Sequence, residues 1–184
     1  MLEEAARLTS LVDQLLMISR ADASAVTLSR SVFSLQELAR EAAALLEPLV
    51  EENCQELLME GAEPVYVEAD RAVIRQAIIN LLHNAIKYSP PGSKISVRVA
   101  ETPQGSVTFE VQDSGPGIPP EHADRIFDRF YRLDNARSRA AGGFGLALAI
   151  GQWAVKANGG KLTVASTLGE GSTFTIELPA LNHS

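Results

Sequence analysis

The chain has 184 residues, of which 46% are hydrophobic and 21% charged, and these proportions are typical of a folded, soluble protein. A net charge of −7 argues against a nucleic-acid partner, because such surfaces collect Lys and Arg to neutralise phosphates. With a single cysteine, no secretory signal and no apolar run near the roughly 18 residues of a membrane span, we expect a cytoplasmic setting.

The first predicted element is an amphipathic helix near the start of the sequence. Its apolar residues recur at spacings of three and four from Leu8 to Ile18, which is typical of a helix in a bundle. The small and polar stretch that follows offers this helix nothing to pack against. We therefore expect a separate module at 1–24, a linker at 25–30 and a second domain at 31–184.

The second domain alternates between strand and helix signals. Ser34 opens a predicted helix as part of a capping box, and Asp70 stands at the N-cap of another. The arrangement predicts an α+β fold, a two-layer sandwich with helices on one face of a mixed, mainly antiparallel sheet. Strands are predicted within 26–35, 64–69, 94–101, 106–113, 161–167 and 172–179, and helices over 34–52, 71–88, 121–133 and 145–158.

The predicted helix at 71–88 carries a polar arc on an otherwise apolar surface. On a helical wheel, Asn80, Asn84, Lys87 and Tyr88 share this arc, and His83 lies at its edge. A helix seated on the sheet through its apolar side would turn two amides and a lysine away from the sheet. Taken alone, the pattern also fits a solvated polar face.

Asp113 ends an alternating strand and is followed closely by Gly115 and Gly117. The strand would hold the carboxylate in place, while the glycines would let the backbone approach a ligand closely. Asp and Gly are also the commonest turn residues, so a simple turn fits this stretch equally well.

Two stretches suit the binding of an anion. Gly142, Gly143 and Gly145 precede a predicted helix start, where free N–H groups and the helix dipole attract negative charge. The preceding loop is basic in an otherwise acidic protein and suits phosphate groups. Its arginines are Arg129, Arg132, Arg137 and Arg139.

In this order, the stretches resemble the catalytic, ATP-binding domain of the sensor histidine kinases of two-component signalling. The motifs that carry the resemblance are NLLHNAIKYSP, DSGPGI, RIFDRFYR, GGFGLALAI and GEGSTF, and the match spans about 31–179. The resemblance implies a Bergerat-type ATP-binding fold, with ATP and Mg²⁺ as its cofactors.

The predicted first helix resembles the second helix of the family's dimerisation and phosphoacceptor domain. The reactive histidine of that domain, which is followed by an acidic residue, has no counterpart among His83, His122 and His183. The resemblance therefore implies a kinase fragment without its phosphoacceptor, and hence without autophosphorylation by itself. The upstream segments would anchor the full-length parent in the inner or plasma membrane.

The resemblance also implies roles for individual residues. Asn84 would ligate Mg²⁺ with help from Asn80, Lys87 would pair with phosphate, and Tyr88 would pack against adenine. Asp113 would accept the exocyclic amino group of adenine, supported through water by Thr173. The other implied ATP-site residues are Gly115, Gly117 and Ile118 at the base, Gly143, Gly145, Leu146 and Ala147 at the phosphates, and Arg132 and Arg137 at the γ-phosphate.

The implied reaction is transfer of the γ-phosphoryl group of ATP to a histidine on the dimerisation domain, and onward to a response-regulator aspartate. The implied partners are the phosphoacceptor domain, within a homodimer of the full-length protein, and the response regulator. Membrane contact is expected only through the upstream segments.

Two alternatives stay open. The family commonly has glycine at the position of Ala147, so the chain could be a nucleotide-binding or interaction module with impaired catalysis. A hydrolytic ATPase or a serine kinase of the same superfamily is the other alternative. Hydrolytic members have a glutamate general base at the position of Asn80, and an amide cannot remove a proton from water.

Overall fold

A computed structural model describes residues 27–61, 64–133 and 144–181. The helix predicted near the start of the sequence, and with it the whole module predicted at 1–24, lies outside these residues. In chain order the elements are β1 (Arg30–Ser34), α1 (Leu35–Glu52), β2 (Glu56–Glu60), β3 (Tyr66–Asp70), α2 (Arg71–Tyr88), β4 (Lys94–Glu101), β5 (Ser106–Asp113), α3 (Ala147–Ala157), β6 (Lys161–Thr167) and β7 (Gly171–Pro179). Two 3₁₀ turns, Pro120–His122 and Arg125–Phe127, precede α3.

Five strands form the main sheet in the order β2-β4-β5-β7-β6, and β1 pairs with β3 in a separate two-stranded sheet. The β2–β4 pair is parallel and the other pairs of the main sheet are antiparallel. Alternate side chains of β4, β5 and β7 are buried on the face that α2 and α3 cover. The predicted α+β sandwich is confirmed.

Side-chain caps explain where two helices begin. Ser34 Oγ accepts a hydrogen bond from Glu37 N at 3.2 Å, and Asp70 Oδ1 accepts from Ala72 N and Val73 N at 3.1 and 3.2 Å. Such caps contribute about 0.5–2 kcal/mol each to stability. The bounds predicted for α2 are confirmed.

The continuous helix predicted over 121–133 is wrong. Two short 3₁₀ turns occupy its first half, and Phe130 then adopts a φ of +64°, which no right-handed helix accommodates. β2 is a five-residue strand with glutamate at both ends, and it was not predicted. In the described part of the chain, no helix is both long and apolar enough to cross a bilayer.

Candidate functional site

Asp113 is buried at the end of β5 and is fixed by two backbone groups. Its Oδ1 accepts hydrogen bonds from Gly115 N at 2.8 Å and from Ser172 N at 3.2 Å. No residue of the described ranges donates to its Oδ2. Burial raises the pKa of Asp113, although the two backbone hydrogen bonds act in the opposite direction. The carboxyl group thus has one committed oxygen and one oxygen available to a ligand.

The backbone closes tightly around this carboxyl group at Gly115. A Cβ atom on Gly115 would lie 2.8 Å from Asp113 Oδ1 and 3.1 Å from the carbonyl oxygen of Tyr88. Ser89, the C-cap of α2, adds a further link, because its Oγ accepts a hydrogen bond from Ser114 N at 3.3 Å. The end of α2 and the end of β5 therefore meet, which brings the backbone of Tyr88 next to Asp113 and Gly115.

The strand register identifies Ser172, not Thr173, as the neighbour of Asp113. Asp113 lies opposite Ser172 on β7, whereas Thr173 lies opposite Gln112. Successive side chains of a strand point to opposite faces, so the side chain of Thr173 lies on the other face of the sheet from Asp113. The support that Thr173 was predicted to give Asp113 does not fit this register. Ser172 was not predicted from the sequence.

The polar arc of α2 divides into two parts. Asn80 is buried, where its Nδ2 donates to the carbonyl oxygen of Ala147 at 3.0 Å and its Oδ1 accepts from Gln76 Nε2 at 3.0 Å. Asn84 is half-buried and makes no hydrogen bond to the described ranges. Asn80 thus links α2 to the start of α3, while the amide of Asn84 is available to a ligand.

His83, Lys87 and Tyr88 lie on the same helix, within four residues of Asn84. Lys87 Nζ lies 5.2 Å from the centroid of the Tyr88 ring. His83 is exposed at the surface of α2, yet surrounding protein atoms remove part of its hydration. This desolvation, and secondarily the charge of Lys87, lower the pKa of His83. The imidazole is therefore neutral at neutral pH.

The residues predicted at the phosphates are only partly described. Leu146 is buried at the N-cap of α3, and Ala147 is the first residue of that helix. Gly145 has a φ of +71°, and its carbonyl oxygen accepts from Phe130 N at 2.9 Å. This bond joins the chain on the two sides of residues 134–143. Arg132 is half-buried, and the predicted site residues Arg137 and Gly143 lie outside the described residues.

Gly117 and Ile118 lie against the β6–β7 hairpin. Gly169 N donates to the carbonyl oxygen of Pro116 at 2.7 Å, and Ile118 N donates to Ser166 Oγ at 2.8 Å. The predicted residues of the base site, Asp113, Gly115, Gly117 and Ile118, are thus brought together. Ser166 is a second residue at this site that was not predicted from the sequence.

Residues 69–182 match the family described as histidine kinase-, DNA gyrase B- and HSP90-like ATPases. The chain belongs to this family. Within it, the chain carries a histidine kinase catalytic ATP-binding domain, as its similarity to relatives of that kind indicates.

Three relatives define the extent of this similarity. The sensor protein SrrB of Staphylococcus aureus is 34% identical over 185 residues, which cover 97% of this chain and 30% of SrrB. A full-length structure of ShkA in complex with AMPPNP has a TM-score of 0.85 and 30% identity, and the match covers 99% of this chain and 38% of ShkA. The nucleotide-free catalytic domain of histidine kinase ThkA has a TM-score of 0.72 and 30% identity, covering 83% of this chain and 98% of that domain. The chain thus spans about 30% of the length of the curated relatives it matches.

Proposed function

We propose that this chain binds ATP with Mg²⁺ and positions the γ-phosphoryl group for transfer to a histidine of a phosphoacceptor domain. The observation that carries the proposal is Asp113, a buried carboxyl group with Oδ1 held by two backbone N–H groups and Oδ2 available. The amino group of adenine is a hydrogen-bond donor that matches Oδ2. A guanine would present a carbonyl oxygen at that position, and two facing acceptors repel each other.

The residues at the end of α2 fit a magnesium ion. Mg²⁺ prefers oxygen ligands and keeps several waters, so it is bound through few protein groups plus substrate phosphates. The available amide oxygen of Asn84 suits this role, and the described ranges contain no cluster of three or more His, Cys, Asp or Glu that would form a protein cage. When bound, the ion would supply positive charge against the phosphates.

Asn80 contributes by positioning another helix. Its hydrogen bond to the carbonyl oxygen of Ala147 ties α2 to the first turn of α3, where free N–H groups suit phosphate oxygens. Because Asn80 has an amide where hydrolytic members have a carboxylate, it cannot act as the general base on water. ATP would therefore be held for an incoming imidazole, with catalysis by positioning and charge.

The remaining parts of the proposal concern the longer protein. Residues 1–24 are proposed as the second helix of the dimerisation and phosphoacceptor domain, 25–30 as a linker and 31–184 as the catalytic domain. The phosphoacceptor domain within a homodimer and a response regulator are the proposed partners. The similarity of the chain to a sensor protein over 97% of its length supports this assignment, and a membrane anchor elsewhere in the longer protein is part of the same proposal.

The impaired-module alternative depends on Ala147. Ala147 is a regular helical residue whose φ is outside the left-handed region, so its backbone does not require glycine. A methyl group at this position is compatible with the start of α3. The described residues therefore add no support to the alternative.

Calorimetric titration of the full chain with ATP, in the presence and absence of Mg²⁺, tests the proposal. We expect Asn84→Ala to lose the Mg²⁺-dependent part of the affinity and Asp113→Ala to lose most ATP binding. Gln112→Ala, one residue away on the opposite face of β5, is the matched control and should bind like the parent. Mixing the chain with a separately made phosphoacceptor domain should then give ATP-dependent phosphohistidine.

Two results would refute the proposal. One is a folded parent chain that does not bind ATP. The other is ATP binding in which Asn84→Ala and Asp113→Ala are both indistinguishable from the parent. Phosphate on His83 of the chain alone would refute the assignment of the acceptor to another domain.

A further inference from the structure

Ser166, near the end of β6, connects three segments around Asp113. Its Oγ accepts a hydrogen bond from Ile118 N at 2.8 Å, donates to the carbonyl oxygen of Gly171 at 2.8 Å, and lies 2.9 Å from Ser172 Oγ. Ser172 in turn donates its backbone N–H to Asp113 Oδ1. A single hydroxyl group thus contacts the segment after β5, the first residue of β7 and Ser172, the neighbour of Asp113.

The number of hydroxyl hydrogens limits whether Ser172 can donate a hydrogen bond to a ligand. A serine hydroxyl has one hydrogen and two acceptor positions. When the hydrogen of Ser166 serves the carbonyl oxygen of Gly171, the 2.9 Å contact with Ser172 requires Ser172 to donate its own hydrogen to Ser166 Oγ. Ser166 then accepts from both Ser172 and Ile118 N, which uses its full capacity. Ser172 is left with lone pairs only for a ligand.

The strand register places the hydroxyl group of Ser172 beside the carboxyl group of Asp113, which is the proposed contact of the base. Ser172 and Asp113 are directly opposite each other on β7 and β5, so their side chains lie on the same face of the sheet. Asp113 Oδ2 is an acceptor when the carboxyl group is ionised. With the hydrogen of Ser172 committed to Ser166, both side chains present acceptors to a ligand.

We infer that Ser166 is a positioning residue that sets base selectivity, by holding the hydroxyl hydrogen of Ser172 away from the nucleotide. The inference rests on the proposed ATP site. An acceptor-only surface suits the 6-amino group of adenine and opposes the 6-oxo group of hypoxanthine or guanine. Without Ser166, the hydroxyl of Ser172 can rotate and donate to a 6-oxo group, so selectivity falls.

The test compares ATP with inosine triphosphate, a 6-oxo purine nucleotide that lacks the 2-amino group of guanine. Dissociation constants are measured by calorimetry for the full chain and for Ser166→Ala. We expect the ATP preference to fall roughly 2- to 12-fold in Ser166→Ala, the range of one neutral hydrogen bond. Ser166→Thr keeps the hydroxyl group and should restore the preference of the parent.

Two further variants separate selectivity from stability. Ser96→Ala removes a serine from the outer face of β4, opposite Gln112, and should not change the preference. In a Ser172→Ala background, Ser166→Ala should have no further effect, because the hydroxyl through which it acts is gone. If Ser166→Ala folds poorly, Ser166→Cys replaces it in both comparisons, because a thiol keeps the shape of the side chain and is only a weak donor and acceptor, and it should lower the ATP preference in the same direction.

Failure of the proposed function and failure of the inference about Ser166 give different results in this experiment. A parent chain that does not bind ATP contradicts the proposed function itself. A parent that prefers ATP, with Ser166→Ala showing the same preference at a lower melting temperature, leaves the proposed function intact and overturns the inference, since Ser166 would then be structural only. A fall in preference that persists in the Ser172→Ala background also overturns it.

Discussion

Replacing Asp113 by asparagine isolates the chemistry of one oxygen atom. Asparagine has nearly the shape of aspartate, and its Oδ1 can still accept from Gly115 N and Ser172 N, which lie 2.8 and 3.2 Å from Asp113 Oδ1 in the parent. Its amide nitrogen takes the place of Oδ2, which is the oxygen that faces the proposed adenine. The substitution therefore keeps the local backbone and exchanges an acceptor for a donor.

Two donors would then face each other at the amino group of adenine. Loss of a hydrogen bond to a charged group costs about 1.5–3 kcal/mol, which is a roughly 10- to 140-fold weaker affinity for ATP. Calorimetric titration with ATP and Mg²⁺ measures this change, with Gln112→Ala as the control on the opposite face. An unchanged ATP affinity in folded Asp113→Asn would refute the assignment of Asp113 to the base.

Asp113→Asn is expected to weaken ATP binding without destabilising the fold. Burial raises the pKa of Asp113, so the folded state binds the proton more tightly than the unfolded chain does. This contribution to stability is present below the ordinary pKa of about 3.8 and is lost as the pH rises through the folded-state pKa. At pH 7 we expect Asp113→Asn to melt at a temperature no lower than that of the parent. Any gain in melting temperature over the parent should become smaller as the pH falls toward 4. A clearly lower melting temperature at pH 7 would contradict the cost of burial.

Three further substitutions test other parts of the site. Gln55→Leu removes a buried amide that donates to the carbonyl oxygens of Ile86, Ser89 and Pro90, and it should lower the free energy of unfolding in urea by about 1–3 kcal/mol. An unchanged free energy of unfolding would show that this amide does not stabilise the end of α2. Because the pKa of His83 is lowered on folding, the parent should lose stability as the pH falls through and below 6.5. In denaturation curves between pH 5 and 7.5, His83→Gln should lose less stability than the parent, and an equal dependence of stability on pH in the two proteins would contradict this expectation. Ala147→Gly should cost up to about 1 kcal/mol of stability, and a large gain in ATP affinity on titration would favour the impaired-module alternative.

The parts of the fold that could be predicted from the sequence are those set by local interactions. Both ends of α2 follow from the Asp70 cap, the apolar periodicity and the Ser89-Pro90 stop, all within or beside the helix itself. Asp113 could be placed at a strand end because the alternation of β5 is strict. By contrast, the backbone of Phe130 leaves the helical conformation where its N–H donates to the carbonyl oxygen of Gly145, fifteen residues away, which no local signal encodes.

The missed site residues share a different cause. Ser172 lies beside Asp113 only because β5 and β7 pair in one register, and a shift of one residue would have put Thr173 there instead. Ser166 depends in addition on the β6–β7 register. The helical wheel placed Asn80 on a polar arc correctly, but the burial of that amide comes from α3, a helix whose position the wheel cannot give.

The hydrogen bonds that build the site join residues far apart in sequence. Asp113 and Ser172 are separated by 59 residues, Asn80 and Ala147 by 67, and Ile118 and Ser166 by 48. No single segment can form the site before the sheet and both helices are in place, so a nucleotide that needs these contacts binds the folded state alone. Binding must then stabilise the whole domain, by about 2.7 kcal/mol at a ligand concentration 100 times Kd. A nucleotide-dependent rise in melting temperature is therefore a direct measure of an assembled site, and its loss in a variant that still folds identifies a contact with the ligand rather than with the fold.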